Sequence, residues 1–217
     1  VEVVAGVRRE EGEIFLDDWL RSARLGRPLI TVKWAATLDG RIAAADGSSR
    51  WITGEAARED VHRRRAGVDA IGVGTGTVLA DDPALTARPG GALAATQPLP
   101  VVFGRTPVPD GARVRAHPSG FLTSPGTSLV GEFAALHSRG VRTLTIEGGP
   151  RFASAVIATG LVDEFHLYLA PLLLGGPRTV TTDIGAATIV DGLRLSVRET
   201  VALGADLLII ATPKGRH

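Results

Sequence analysis

The sequence has no cysteine and no methionine in its 217 residues. Without cysteine there are no disulfides, no thiolate zinc sites and no cysteine nucleophile. Without methionine, and with Val1 in first place, the expectation is that the natural start lies upstream and that further function lies there with it. Neither sign of charge dominates. The net charge of +1 argues against a nucleic-acid partner held by phosphate neutralisation. No apolar run reaches spanning length and no signal-peptide pattern is present, so a cytoplasmic protein without a membrane partner is expected. The five histidines, His62, His117, His137, His166 and His217, lack metal-ligand spacing, so no protein-held transition metal is expected. What remains is ordinary for a globular chain: 44% hydrophobic and 22% charged residues, enough for one α/β domain or two small ones.

The chain reads outward from Asp69–Arg88, DAIGVGTGTVLADDPALTAR. Ala70, Ile71 and Val73 form an apolar run suited to a buried strand. Gly72, Gly74 and Gly76 let its backbone approach a neighbour or a ligand closely. Asp81, Asp82 and Pro83 make a turn, and Arg88 closes the segment. This pattern suits one wall of a pocket for a polar ligand; a Gly-rich strand end followed by an Asp-Pro turn is the structural alternative. A dinucleotide fingerprint is rejected, because Thr77 stands where GxGxxG needs glycine and no helix is expected ahead of Pro83.

Residues 1–9 suggest a short strand, and Glu10–Leu25 a helix stopped by Gly26 and Pro28. Ile30, Val32 and Trp34 alternate with Thr31 and Lys33, which predicts a strand over Leu29–Ala36 with Lys33 off its apolar side. Thr53 is expected to cap a helix running to about Ala66, with Gly67 as its stop. Its charge run offers the i,i+4 pairs Glu59–Arg63 and Asp60–Arg64 and leaves Arg65 without an acidic i−4 partner. Pro89–Gln97 reads as a mobile loop. Strands are expected at Leu99–Gly104, Gly120–Thr123, Val141–Glu147 and Glu164–Ala170, and helices at Val130–Ser138 and from Pro150 to about Thr159. Leu193–Thr200 and Asp206–Thr212 form a hairpin. The fold class is therefore α/β, a mostly parallel central sheet flanked by helices with an antiparallel C-terminal hairpin.

The strongest local signal for chemistry is Glu147-Gly148-Gly149-Pro150. Two glycines between a strand end and a helix start leave backbone N–H groups bare for a phosphate, and Glu147 lies where open α/β sheets put their ligands. A tight connection needing positive φ is the alternative. Lys33, Asp39 and Asp81 would be delivered to the same region by short loops, with Lys33 able to move a proton or hold an oxygen. Asp39 reads equally well as a turn residue.

Several segments occur in an order that resembles the reductase domain of the bacterial riboflavin-biosynthesis deaminase/reductase. They are Lys33-Trp34-Ala35-Ala36-Thr37-Leu38-Asp39-Gly40-Arg41, Ser49-Arg50-Trp51-Ile52-Thr53, Thr77-Val78-Leu79-Ala80-Asp81-Asp82-Pro83 and Glu147-Gly148-Gly149-Pro150. Leu161-Val162-Asp163-Glu164 and Ala170-Pro171-Leu172-Leu173-Leu174-Gly175 complete the set. The resemblance implies a dihydrofolate-reductase-like fold, NADPH as hydride donor and 5-amino-6-(5-phosphoribosylamino)uracil as substrate, reduced at C1′ after ring opening to an imine. It places Lys33, Asp81 and Glu147 at the reacting end. Ser49, Arg65, Leu85 and Arg88 match substrate positions. Ala35, Trp51, Thr77, Asp81, Thr123, Gly148, Gly149, Pro150, Arg151 and Phe152 match the cofactor side, within a stretch extending to Ala155. For the adenosine 2′-phosphate, Arg105 and Thr123-Ser124 are the available sets. The chain departs from the family at Thr37, usually serine, and at Pro100, usually arginine. Residues 1–27 resemble a junction from an absent deaminase domain, and 28–217 the reductase domain. A homodimer is expected, because Leu207-Leu208-Ile209-Ile210 needs cover on both faces. The alternatives are a reductase of a related pyrimidine or pterin and a non-catalytic dimerisation module.

Overall fold

The computed structural model describes Val4 and residues 6–215. Strands β1 (Leu29–Thr37), β2 (Ala70–Gly74), β3 (Leu99–Phe103), β4 (Leu122–Ser124), β5 (Thr143–Ile146) and β6 (Glu164–Ala170) run parallel. β7 (Leu195–Leu203) and β8 (Asp206–Pro213) form the C-terminal hairpin, with β8 antiparallel to β6. Together they make one eight-stranded sheet in the order β4-β3-β2-β5-β1-β6-β8-β7.

The helices are α1 (Arg9–Phe15), α2 (Asp17–Leu25), α3 (Glu55–Arg65), α4 (Thr75–Asp81), α5 (Leu129–Ser138) and α6 (Pro150–Ala158). Strand alternation sends Ile30, Val32, Val101, Phe103, Leu144 and Ile146 to one face, where they pack on Phe133 and Leu136 of α5 and Val156 and Ile157 of α6. Each such side chain contributes about 1.5–3 kcal/mol when fully buried. The second face is divided. Ile71, Val73 and Val102 form one apolar cluster with Val78 of α4 and Leu85, and Tyr168, Leu208 and Ile210 form another with Ala57 of α3. Between these clusters, β5 and β1 turn Thr145, Glu147, Thr31 and Lys33 toward a cavity rather than toward an apolar layer. That polar strip is where the sheet keeps its chemistry.

Several local expectations are corrected. Residues 1–3 and 5 of the expected first strand lie outside the described residues, while Val7 and Arg8 form a turn leading into α1. The single helix over Glu10–Leu25 is two, broken at Leu16, whose φ of −101° and ψ of 11° leave the helical basin. A seven-residue helix, α4, does open directly behind Gly74. It forms because Val78 is buried in the second-face cluster, a tertiary gain that outweighs the poor propensity of Gly76. Thr53 does not cap α3. Gly54 is the N-cap residue, and its N–H donates to Asp206 Oδ2 at 2.6 Å. Glu59 is drawn away from Arg63 to accept the Gly90 N–H, while Asp60 takes both Arg63 and Arg64. The loop expected to be mobile is tied down through Gln97, which bonds Ala87 on both sides of its amide and also the Ala94 carbonyl.

Candidate active site

β5 ends at Ile146, in register with Val32 of β1 and Gly72 of β2, while both neighbours continue, to Thr37 and Gly74. The early end leaves a notch between β1 and β2, and Glu147 is its floor. Its backbone is fixed there by an N–H···O bond of 2.9 Å to the Gly72 carbonyl. Ligands of open α/β sheets sit beyond such strand ends.

The Glu147 carboxylate is almost fully enclosed, with 7% of the side chain exposed. Arg65, at the last turn of α3, donates Nε to Oε1 and Nη2 to Oε2, both at 2.8 Å, and Lys33 Nζ stands 3.7 Å from Oε2. Burial alone would raise the Glu147 carboxyl, but Arg65 and then Lys33 more than offset it and hold it down at about 2. Lys33 moves the other way from the usual lysine range. Burial lowers it, with the adjoining Arg65 guanidinium adding to the effect, and the attraction of Glu147 does not fully compensate. The cluster thus joins a carboxylate fixed in its ionised form to an amine that gives up its proton more readily than a free lysine.

Two residues that sequence reasoning did not single out frame this lysine. Lys33 Nζ lies 5.5 Å from the ring centroid of Tyr168, within cation–π range. The Tyr168 hydroxyl donates to Asp60 Oδ2 at 2.7 Å, and Asp60 is itself gripped by Arg64 at 2.7 Å. Tyr168 is the chain's one tyrosine, the only sequence signal that would have drawn attention to it.

Of the other substrate residues implied by resemblance, Leu85 and Arg88 flank Thr86, which bonds Arg65. Arg65 Nη1 donates to the Thr86 carbonyl at 3.1 Å, and Arg88 Nε to the Thr86 hydroxyl at 3.0 Å, so Thr86 links the two arginines. The Arg88 backbone N–H is accepted by His62 Nδ1 at 3.2 Å, and the Arg88 residue is exposed. Leu85 has a positive φ of 55° and a side chain buried in the second-face cluster, which leaves its backbone as the part a ligand would meet. Ser49 is half-buried in the loop before Trp51.

On the cofactor side, α4 and α6 abut through their first turns. The Gly149 N–H donates to Thr77 Oγ1 at 2.9 Å, so one of the two glycine N–H groups expected to be bare is taken. Gly148 and Gly149 are not in the positive-φ region. Gly148 is required for space instead, because a Cβ there would meet Phe152 Cδ1 at 2.6 Å. Pro150 fills the first helical position, and the first-turn N–H groups of Arg151 and Phe152 follow it. A pair of helix N-termini joined at the notch carries partial positive charge and suits a pyrophosphate, so the residues present fit a nicotinamide dinucleotide. Ala35 lies on β1 against the Tyr168 cluster, and Trp51 is exposed with the Arg58 guanidinium 4.6 Å over its ring. Asp81 is exposed at the end of α4, where its carbonyl accepts from Arg50; it has no hydrogen bond or ion pair to Lys33 or Glu147 among the described residues. Thr123 and Arg105 are exposed at the ends of β4 and β3, whereas the Ser124 hydroxyl is committed to Glu132. Asp39 proves to be a tether, accepting the Gly175 N–H at 2.6 Å and the Leu174 N–H at 3.2 Å and so holding the loop after β6 against β1.

Residues 28–209 match the family model described as the RibD C-terminal domain. The chain belongs to the RibD C-terminal domain family. It is 47% identical over 195 residues to the riboflavin biosynthesis protein RibD of Mycobacterium tuberculosis, covering 89% of this chain and 57% of that protein. It thus spans little more than half the length of that relative. The 2,5-diamino-6-ribosylamino-4(3H)-pyrimidinone 5′-phosphate reductase of Methanothermobacter thermautotrophicus is 34% identical over 216 residues, covering 87% of this chain and all (100%) of that protein. Among solved structures, Acinetobacter baumannii RibD superposes with a TM-score of 0.85 at 27% identity, over 99% of this chain and 66% of the other. The mostly parallel sheet with its antiparallel hairpin is therefore the RibD reductase-domain architecture.

Proposed function

We propose that this chain reduces the ribosyl chain of 5-amino-6-(5-phosphoribosylamino)uracil to the ribityl product in riboflavin biosynthesis, with NADPH as donor. The observation that carries this reading is the enclosed Lys33–Glu147–Arg65 cluster at the notch between β1 and β2, in a chain that aligns over the full length of a named ribosylaminopyrimidine phosphate reductase. The nicotinamide, when bound, supplies the hydride. Lys33 supplies the proton that the substrate nitrogen gains as C1′ is reduced, and its lowered affinity for that proton suits the task. Glu147, ionised throughout the neutral range, orients Lys33 and accepts hydrogen bonds from the sugar. Arg88, exposed beside Thr86, takes the substrate phosphate, with the Leu85 backbone and Ser49 as the further substrate contacts. Thr77 and the Gly148–Phe152 turn hold the pyrophosphate, Ala35, Trp51 and Asp81 border the nicotinamide end, and Arg105 with Thr123 receives the 2′-phosphate. The working molecule is a homodimer.

The test is NADPH oxidation by the purified chain with the phosphorylated ribosylaminouracil, its 2-amino pyrimidinone counterpart and dihydrofolate offered separately. Turnover of the uracil compound, faster with NADPH than with NADH, is expected. Preference for dihydrofolate would assign a pterin reductase, and inactivity with all of them a scaffold.

A further inference from the structure

The cavity on the second sheet face has a volume of about 1300 Å³ and is lined by Lys33, Glu147 and Arg65 at one end. From there it runs past Thr31, Thr145 and Glu164 toward the starts of β1, β5 and β6, away from the notch proposed above for both ligands. Besides Glu164, the further charged groups facing it are Asp17, Asp18 and Arg21 of α2, Arg64 of α3, Arg198 and Glu199 of β7, and also Asp163 and Lys214. It is a polar trough that reaches the reacting lysine from behind.

We propose that this trough is the path by which the reaction's proton enters, and that His166, oriented by Glu164, passes it to Lys33. The proposal rests on the reductase reading above. Reduction of the imine adds a hydride to C1′ and a proton to the nitrogen. The cofactor leaves oxidised without returning that proton, so Lys33 is left as an amine and must be recharged from solvent once per turnover. Among side chains, the neighbours of Lys33 narrow the choice of a donor that passes the proton on from the trough. Glu147 carries no proton at neutral pH, and the Arg65 guanidinium keeps its own. The Tyr168 hydroxyl is committed to Asp60. His166 remains. It is the register partner of Lys33 on the adjoining strand, as Glu164 is of Thr31, and all four line the trough. Adjacent strands lie about 4.8 Å apart, which puts the two side chains within direct reach or one water of each other.

The histidine is built for this role. Its Nε2 lies 2.6 Å from Glu164 Oε1, which fixes the hydrogen on Nε2 and leaves Nδ1 as the acceptor. Nδ1 makes no hydrogen bond among the described residues and is not one of the buried unpartnered atoms, so water reaches it. In the relay, a solvent proton bonds to Nδ1 and the imidazolium is stabilised by Glu164. The same Nδ1–H bond then breaks as Lys33 Nζ takes the proton. Imidazole and ammonium are restored, and the net uptake is one proton per hydride transferred.

His166→Ala tests this. Steady-state kcat should fall by about 10-fold or more, the low end for a lost acid–base group, with KM and NADPH binding by fluorescence unchanged. The first turnover, run on lysine already protonated, should keep the wild-type rate, and imidazole in the buffer should restore part of kcat. His166→Gln, which keeps a hydrogen bond to Glu164 but carries no proton, should show the same loss. Independently of turnover, Lys33 should remain open to acetic anhydride with NADP⁺ bound, because the trough stays open when the notch is filled. Unchanged kcat, a slowed first turnover, loss without imidazole rescue, or protection of Lys33 by NADP⁺ would each overturn the relay. A wild type that fails to turn over would instead sink the reductase reading.

Discussion

At the scale of single residues, Lys33 and Glu147 stood out in the sequence by position, a lysine on an alternating strand and a glutamate at a strand's end. What the sequence could not show was the third partner. The residues mark Arg65 as the arginine without an i−4 acid and the family resemblance as a substrate position, whereas its acid, Glu147, is 82 positions away. That contact revises what Arg65 does. Both forks of its guanidinium are occupied, so Arg65→Ala is expected to strand a buried carboxylate, lowering stability by about 3–5 kcal/mol and kcat with it, for phosphorylated and dephosphorylated substrate alike. Arg88→Ala is expected to raise KM for the phosphorylated substrate by roughly 10–100-fold, equivalent to ~1.5–3 kcal/mol, and to leave the nucleoside nearly unaffected. Equal losses on both substrates would show that Arg88 does not touch the phosphate. Lys33→Met and Glu147→Gln should each reduce kcat by roughly 10²-fold or more, with cofactor affinity changing less. Glu147 also sets an acid limit. Its folded value of about 2 lies below the ordinary 4.5, so between them the unfolded chain binds the extra proton. Its contribution is complete above the unfolded value and is lost as pH falls toward 2. Urea unfolding followed from pH 5 downward should therefore fall less steeply in Glu147→Gln than in the wild type.

At the scale of elements, the central strands were legible to within a residue or two, because alternation of Ile30 and Val32 with Thr31 and Lys33 records which face is apolar, while the end of β7 came three residues later than expected. The failures were where a distant group supplies what the local sequence lacks. α4 carries Gly76 and precedes Pro83, yet it forms around buried Val78 with Thr77 holding the Gly149 N–H. The start of α3 is finished by Asp206, 152 positions later, whose buried carboxylate meets the helix's positive end through the Gly54 N–H. A long-range cap makes the hairpin and α3 one unit. Asp206→Ala is expected to cost about 0.5–2 kcal/mol, the range for a lost N-cap side chain, with Asp206→Asn keeping most of it. Thermal unfolding of both variants decides the point, and equal stability in Asp206→Ala and wild type would remove the cap from the account.

At the scale of the whole molecule, the element list leaves the strand order open, since many arrangements satisfy the same alternation. In the structure β1 pairs with β5 on one side and β6 on the other and outruns β5 to make the notch. The same sheet raises the question of assembly. The run Leu207-Leu208-Ile209-Ile210 was expected to need cover on both faces; one face is buried, and the other, with Ile209 half-buried and Ala211 buried, is open at Leu207. Leu208 and Ile210 are buried beside Ala57 of α3, while Leu207 is 40% exposed. Val197 on the outermost strand is in register with Ala211, which by period-two alternation lies on the Leu207 side of β8, and it is 62% exposed. Apolar side chains therefore lie along one face at the open end of the sheet, on an outer strand that also offers unpaired backbone groups. A second copy of the chain would cover both. Light scattering at micromolar concentration should then report twice the monomer mass, and Leu207→Lys with Val197→Glu should shift the protein to monomer without unfolding it, because neither side chain is buried in the single chain. A wild type that scatters as a monomer at that concentration would leave this face to solvent and overturn the dimer.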